Sequence, residues 1–166
     1  SLKDLNLIKE KKLDNQIIMV GFNRRFSKLI ETLYRELEKI SDNKIFIYTV
    51  NAGLLPDDHW LHDPVQGGGR IIGEACHFVD LLKFLSNGNI TNMQIVQLEK
   101  EPLKVNNFSI FIEFDNNCSG IIHYLSKGNK SFPKENLQVF TSNKVFSLEN
   151  FISLKAWGVS NFKNKR

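Results

Sequence analysis

The sequence is poor in cysteine and proline, with two of the first and four of the second among 166 residues. Two cysteines without CxxC spacing exclude a disulfide framework, so we expect a reducing compartment, the cytoplasm. No apolar run approaches the roughly 20 residues that span a bilayer, which excludes a membrane-spanning helix. Residues 1–12 also lack the order of a secretory signal, in which a basic stretch precedes an apolar one.

Positive charge is confined to one end of the chain. The formal net charge is +4, and the last dozen residues carry three lysines and one arginine without any acid. This tail accounts for the whole excess, so the body is close to neutral. A nucleic-acid surface needs a basic stripe interleaved with aromatic residues along an element, and we therefore expect no nucleic-acid partner.

The first 22 residues have the pattern of an α/β unit. Residues 1–12 place apolar side chains at helical spacing, and residues 17–20 form a short apolar run closed by Gly21. Such a run favours a strand buried on both faces, as in a parallel sheet. Parallel strands need neighbours, and none precedes this one. We therefore expect the chain to begin in the middle of a fold.

The remaining residues predict an α+β domain. Helical spacing marks residues 27–40 and 70–85, with a strand at 45–50 and a long loop at 51–69 between them. Strand-like runs then follow in succession at residues 93–98, 108–114, 120–125, 137–140 and 145–148. Strands without intervening helices predict a mostly antiparallel open sheet with the helices on one face.

Residues with catalytic potential crowd into one window. The loop carries His59, Trp60, His62 and Asp63, and the helix that follows three glycines at 67–69 carries Glu74, His77 and Asp80. A spacing of three places each helical carboxylate beside the imidazole, which it could orient as in a general acid or base. A core histidine satisfied by a carboxylate has the same spacing. The glycines fit either a tight turn or an anion site at a helix start.

A metal site is a further alternative from the same window. His59, His62, Asp63, Glu74 and His77 are residue types that bind zinc and related metals. Neither the H-x-x-H in the loop nor the E-x-x-H on the helix matches a zinc-protease signature. The prediction for a bound metal is therefore none, with a metal-dependent hydrolase kept as the least favoured function.

Two segments carry a family resemblance. Residues 20–27 read V-G-F-N-R-R-F-S, and the three glycines lead to H-F-V-D-L-L at residues 77–82. Together they resemble the Gfo/Idh/MocA oxidoreductases, the glucose-fructose oxidoreductase and inositol dehydrogenase family, over at least residues 1–150. The F-P-K-E at residues 132–135 is similar to a subgroup associated with bacterial surface-polysaccharide genes.

The resemblance implies two domains. Family members have an N-terminal Rossmann domain that holds NAD or NADP and a C-terminal α+β domain whose open sheet commonly forms a homo-oligomer interface. Residues 1–22 would then be a remnant of the dinucleotide-binding domain, and residues 23–166 the substrate-binding and oligomerisation domain. The sequence has neither the family's E-K-P nor a Gly-rich phosphate fingerprint. We therefore expect the catalytic lysine and most of the cofactor site upstream, and the chain alone to be inactive.

The resemblance also assigns roles to single residues. His77 matches the histidine that accepts the proton of the substrate hydroxyl. The family's aspartate lies four residues earlier, where this chain has Gly73, so Glu74 is the candidate second catalytic residue. The candidate substrate contacts are His59, Trp60, Asp80 and Lys134, and the residues expected to border the cofactor are Arg24 and Arg25.

Two functions of different classes follow. The first is NAD(P)-dependent oxidation or reduction of a hydroxyl on a sugar, polyol or nucleotide-sugar, in surface-polysaccharide biosynthesis. The second is a non-catalytic module that oligomerises through its open sheet.

Overall fold

The chain forms three helices and seven strands within the residues that the computed structural model describes, which are 2–63, 65–99 and 105–165. The helices are α1 (Leu2–Lys11), α2 (Lys28–Glu38) and α3 (Cys76–Ser86). The strands are β1 (Ile45–Asn51), β2 (Ile90–Gln97), β3 (Phe108–Phe114), β4 (Ser119–Leu125), β5 (Glu135–Thr141), β6 (Lys144–Glu149) and β7 (Ser153–Trp157). Among these helices, none has the length and hydropathy to cross a membrane.

The seven strands form one sheet in the order β2-β3-β4-β1-β5-β6-β7. The β1–β4 pair is parallel and the other neighbouring pairs are antiparallel, which confirms the predicted mostly antiparallel α+β fold. Asn51 at the end of β1 pairs with Leu125 at the end of β4, and Glu135 begins β5 beside them. We call this the upper end of the sheet.

The helices α2 and α3 cover one face of the sheet. Alternate residues of β1, including Phe46 and Tyr48, are buried there together with Leu33 of α2 and Leu82 of α3. A Cβ on Gly120 of β4 would lie 2.8 Å from Leu82 Cδ1, so glycine allows α3 to approach the sheet closely. The other face leaves large apolar side chains exposed, namely Ile45, Phe111, Leu125, Phe140 and Trp157.

The strand predicted at residues 17–20 does not form, and this prediction is wrong for the chain by itself. The segment has no regular structure, and Ile17 is 95% exposed. A strand gains its hydrogen bonds from a neighbouring strand. None of the described strands pairs with these residues, so the apolar run has no sheet to enter.

Candidate functional site

The three glycines form a tight turn. Gly68 and Gly69 have φ of 68° and 79°, and a Cβ on Gly67 would lie 2.4 Å from the backbone of Leu61. Only glycine fits these positions without strain. The amides of Gly67 and Gly68 both donate to the Asp63 carbonyl at 2.9 Å. These two amides are already used within the loop, which favours a turn over an anion site.

The helix that carries His77 begins with a wide turn. Residues 71–75 form a π-helical turn that runs directly into α3. Turns of this kind are frequent at functional sites. Within it, a Cβ on Gly73 would lie 2.5 Å from Leu61 Cδ1 and 3.2 Å from the Gly67 carbonyl oxygen. Any side chain at this position, an aspartate included, would require Leu61 to move.

The imidazole of His77 has an aromatic neighbour. Its ring is half-buried and packs edge-on against Phe22, with 5.4 Å between ring centroids. Its Nδ1 is buried and has no hydrogen-bond partner among the residues that the structure describes. The Glu74 carboxylate lies 3.9 Å from Arg70 Nη1, and Asp80 pairs with Arg25. The two carboxylates predicted to orient His77 thus face arginines in this structure.

Arg24 lies in a buried polar cluster. Its Nε and Nη2 donate to the two carboxylate oxygens of Glu135 at 3.0 and 2.8 Å, and the Tyr48 hydroxyl donates to the same carboxylate. Burial acts to lower the pKa of Arg24, but hydrogen bonding to Glu135 and its charge reverse the effect, and the net pKa is raised. Burial, reinforced by the Glu135 charge, raises the pKa of the Tyr48 hydroxyl well above its usual value.

Arg25 links the segment before α2 to α3. Its Nε donates to Asp80 Oδ2 at 3.0 Å, Nη2 contacts the other carboxylate oxygen, and the guanidinium lies 5.2 Å from the Phe84 ring centre. Both arginines expected beside the cofactor therefore bind carboxylates of this same chain. Together with the Phe22 contact, they fix the segment at 22–25 against α3 and β5.

Arg70 is a buried anchor whose role the sequence did not reveal. It is 1% exposed, and it donates to the Tyr124 hydroxyl and to the Gly53 carbonyl, both at 2.7 Å. Burial lowers the pKa of Arg70, and the charge of Glu74 opposes this effect. A fully buried arginine is rare unless it is paired. Here it ties the loop after β1 to the helix that leads to His77.

His59 and Asp63 make hydrogen bonds within the loop. His59 Nδ1 accepts from the Leu61 amide at 3.2 Å, and Asp63 Oδ1 accepts from the amides of Val65 and Gln66 at 2.7 and 2.8 Å. Trp60 is 57% exposed. In the described part of the chain, no three His, Cys, Asp or Glu side chains form a group that could hold a metal. The five residues of the metal-hydrolase alternative therefore do not assemble into a ligand set, because several of their polar atoms have other partners.

Lys134 lies in an open groove of about 860 Å³ at the upper end of the sheet. We call this the Lys134 groove. It is lined by residues 51–54 at the end of β1, residues 128 and 130–134 before β5, and Glu149, Asn150 and Ile152 at the end of β6. The site residues thus fall into two groups, one around His77 and one in this groove.

The fold is similar to that of solved structures, although comparison of the sequence with family models and curated proteins finds no match. No family model matches, and no curated protein matches by sequence. The inositol dehydrogenase homolog complexed with NAD⁺ from Azotobacter vinelandii is similar with a TM-score of 0.80 and 14% identity, over 99% of this chain and 47% of that one. Levoglucosan dehydrogenase in complex with NADH and levoglucosan gives 0.76 and 15%, over 97% and 48%. The NAD binding oxidoreductase from Klebsiella pneumoniae gives 0.70 and 15%, over 88% and 45%.

These matches establish the fold. The chain spans about half the length of the solved structures that it matches. Its architecture is shared with about half of each of these oxidoreductase structures.

Proposed function

We propose that this chain is the substrate-binding part of an NAD(P)-dependent oxidoreductase of the Gfo/Idh/MocA type. Its substrate would be a hydroxyl on a sugar, polyol or nucleotide-sugar. The observation that carries the proposal is His77, which lies on the helix after the glycine turn in a fold shared with dehydrogenases solved with NAD⁺ or NADH. One of those structures also contains levoglucosan, which supports a sugar-like substrate.

His77 would accept the proton of the substrate hydroxyl. Because its Nδ1 is buried without a partner, Nε2 is the nitrogen that would face the substrate. Glu74 would lie beside the substrate with its charge held near Arg70. Bound NAD or NADP would supply the hydride acceptor or donor.

The cofactor would be held mainly outside these 166 residues. The sequence has no Gly-rich phosphate fingerprint, and the guanidinium groups of Arg24 and Arg25 are bound by carboxylates. Residues 1–22 would belong with the dinucleotide-binding domain, which is supported by the exposed apolar side chains of residues 17–20. Arg24 and Arg25 would then border the cofactor cleft indirectly, because they fix the segment at residues 22–25 that would lie beside the cleft. The chain alone would be inactive.

Four other residues would complete the substrate site. Trp60 is exposed and could stack on a sugar face, with His59 next to it. Lys134 would meet a charged or polar group in its groove, and Asp80 would act through Arg25 by positioning α3.

The free thiols Cys76 and Cys118 are compatible with a cytoplasmic protein, and the F-P-K-E motif with surface-polysaccharide biosynthesis.

The test is turnover by the protein that includes its dinucleotide-binding domain. His77→Ala should lower kcat by about 10²- to 10⁴-fold, as expected for loss of a general base. The matched control is His123→Gln, which removes an imidazole from the open face of the sheet and keeps a hydrogen-bonding side chain beside Ser109. Normal turnover by His77→Ala would remove His77 from the mechanism. Micromolar NAD(P) binding by residues 1–166 alone, measured by calorimetry, would contradict a cofactor site outside this chain.

A second candidate function is assembly through the open face. Its apolar side chains, among them Phe111 and Leu125, surround a hydrogen bond of 2.9 Å between Ser109 and His123. A homo-oligomer that covers this face would bury them. Light scattering should show a dimer or larger form that Phe111→Glu dissociates and Ile152→Glu does not. A monomer at high concentration would contradict this function.

A further inference from the structure

The Lys134 groove has an excess of positive charge. Its charged lining residues are Lys130, Lys134 and Glu149. Within residues 2–63, 65–99 and 105–165, neither lysine ammonium lies within ion-pair distance of a carboxylate. The acid next to Lys134 in sequence, Glu135, is already neutralised by Arg24. Two cations in this groove are therefore free to meet an anion.

The same groove exposes apolar surface. Phe132 is 57% exposed, and Leu54 and Ile152 are also largely exposed. An aromatic ring of this kind provides a flat face on which a sugar or a planar base can stack. Cations beside an open aromatic ring suit a ligand that has both an anionic group and a ring.

The groove is held in shape by hydrogen bonds across it. The Asn51 amide donates to the Lys134 carbonyl at 2.7 Å, and the Asn51 side-chain nitrogen donates to the Asn129 carbonyl at 2.8 Å. On the other side, the backbones of Glu135 and Asn150 are joined by a bond of 2.8 Å. A site whose walls are already ordered loses less entropy when a ligand binds. Its volume also lies within the range of about 300–1,000 Å³ that is usual for small-molecule sites.

The groove belongs to the same end of the molecule as His77. Glu135 follows Lys134 and accepts hydrogen bonds from Arg24. The Arg24 guanidinium lies 4.5 Å from the centre of the Phe78 ring, and Phe78 is the residue after His77. The groove and His77 are therefore linked by a series of contacts through Glu135, Arg24 and Phe78.

We propose that the Lys134 groove binds an anionic sugar, one that carries a phosphate or a carboxylate. Lys130 and Lys134 bind the anion, and Phe132 contacts the ring or an attached base. This inference rests on the proposed function and narrows its substrate from sugars in general to charged sugars. Lys130 and Phe132 become binding residues that the sequence pattern did not indicate.

The experiment is calorimetric titration of the 166-residue chain with glucose 1-phosphate, glucuronate, UDP and glucose. At least one anion should bind with a Kd below about 1 mM and at least tenfold more tightly than glucose, with an affinity that falls as salt is added. The order of the three affinities shows which group is recognised, a phosphate, a carboxylate or a nucleoside diphosphate. The double variant Lys130→Gln, Lys134→Gln should weaken that binding at least tenfold.

Matched variants separate the groove from general surface charge. The double variant Lys155→Gln, Lys163→Gln removes two exposed lysines outside the groove and should change affinity less than twofold. Phe132→Ala should weaken binding at least threefold, whereas Trp157→Ala, which also removes an exposed aromatic, should not. Equal affinity for glucose and the anions, no anion binding, or equal losses in the two lysine variants would overturn the proposal. Because this readout involves neither cofactor nor turnover, a negative result would leave the test of His77 as it stands.

Discussion

The charged residues at the upper end of the sheet form two sets with different surroundings. Around His77, Arg24 and Arg25 each bind both oxygens of a carboxylate and lie over aromatic rings. In the Lys134 groove, Lys130 and Lys134 have no such partner among the described residues. The planar guanidinium suits paired, partly buried sites, and the ammonium is a flexible, hydrated charge. The first set therefore stabilises the fold, and the second remains available to a ligand.

The largest expected effect comes from removing Glu135. Glu135→Ala leaves the Arg24 guanidinium and the Tyr48 hydroxyl without their shared acceptor in a mostly buried site. The free energy of unfolding should fall by about 2–4 kcal/mol, measured by urea denaturation. Glu149→Ala is the control, because Glu149 is an exposed carboxylate of the groove and should cost less than about 0.5 kcal/mol. Similar losses in both variants would erase the distinction between the two sets.

Alkaline pH should lower the free energy of unfolding through Tyr48, which belongs to the same cluster. Burial and the Glu135 charge hold the Tyr48 pKa above its usual value in the folded state, whereas the unfolded chain loses this proton near pH 10. Above about pH 10 the native state therefore binds more protons than the unfolded state, and stability falls as pH rises. This contribution is complete below pH 10 and declines by up to about 1.4 kcal/mol per pH unit above it.

The comparison with Tyr48→Phe isolates this contribution. The variant cannot ionise at position 48, so its free energy of unfolding should fall less steeply between about pH 9.5 and pH 11. All other ionisable groups are the same in the two proteins, and their contribution cancels in the difference between the two curves. Parallel curves would show that the Tyr48 pKa is not raised by folding.

A smaller effect is expected for the pair on α3. In a double-mutant cycle of Arg25→Met and Asp80→Asn, the coupling free energy should be about 1 kcal/mol, because Arg25 is about one-third exposed and solvent screens the pair. In the two-domain oxidoreductase proposed above, Asp80→Asn should also raise KM or lower kcat by displacing α3. A coupling near zero would show that the pair does not fix the helix.

The local pattern predicted most of the fold. The helix predicted at residues 70–85 and the strands at 45–50, 108–114 and 120–125 are confirmed, because their apolar periodicity coincides with burial. Strand β7 was missed because a single residue of it, Leu154, is buried. The strand expected at residues 17–20 does not form although all four of its residues are apolar. Its apolar run is real, but a sequence does not show whether a neighbouring strand is present.

The site was less predictable than the fold. Helical spacing placed Glu74, His77 and Asp80 together, and it also gives the pair of Arg70 and Glu74, which are four residues apart. It does not give Arg25, the arginine that Asp80 faces. Asp80 binds a residue 55 positions away, and Arg24 binds Glu135 across 111 positions. Partners so distant in sequence are brought together by the sheet topology. Single-residue roles therefore follow from the three-dimensional contacts, and the predicted roles of these residues stay predictions until turnover is measured.

The smallest effect on the free energy of unfolding is expected for the two lysines of the Lys134 groove. It is the sharpest test of the difference between the two sets of charged residues. The double variant Lys130→Gln, Lys134→Gln should change the free energy of unfolding by less than about 0.5 kcal/mol, because neither ammonium has a carboxylate partner within the described part of the chain. Removing two unpaired like charges could even stabilise the chain slightly at low salt. If urea denaturation instead showed a loss comparable to that of Glu135→Ala, these lysines would be structural. A stable variant that no longer binds an anionic sugar would show that their charge serves the ligand and not the fold.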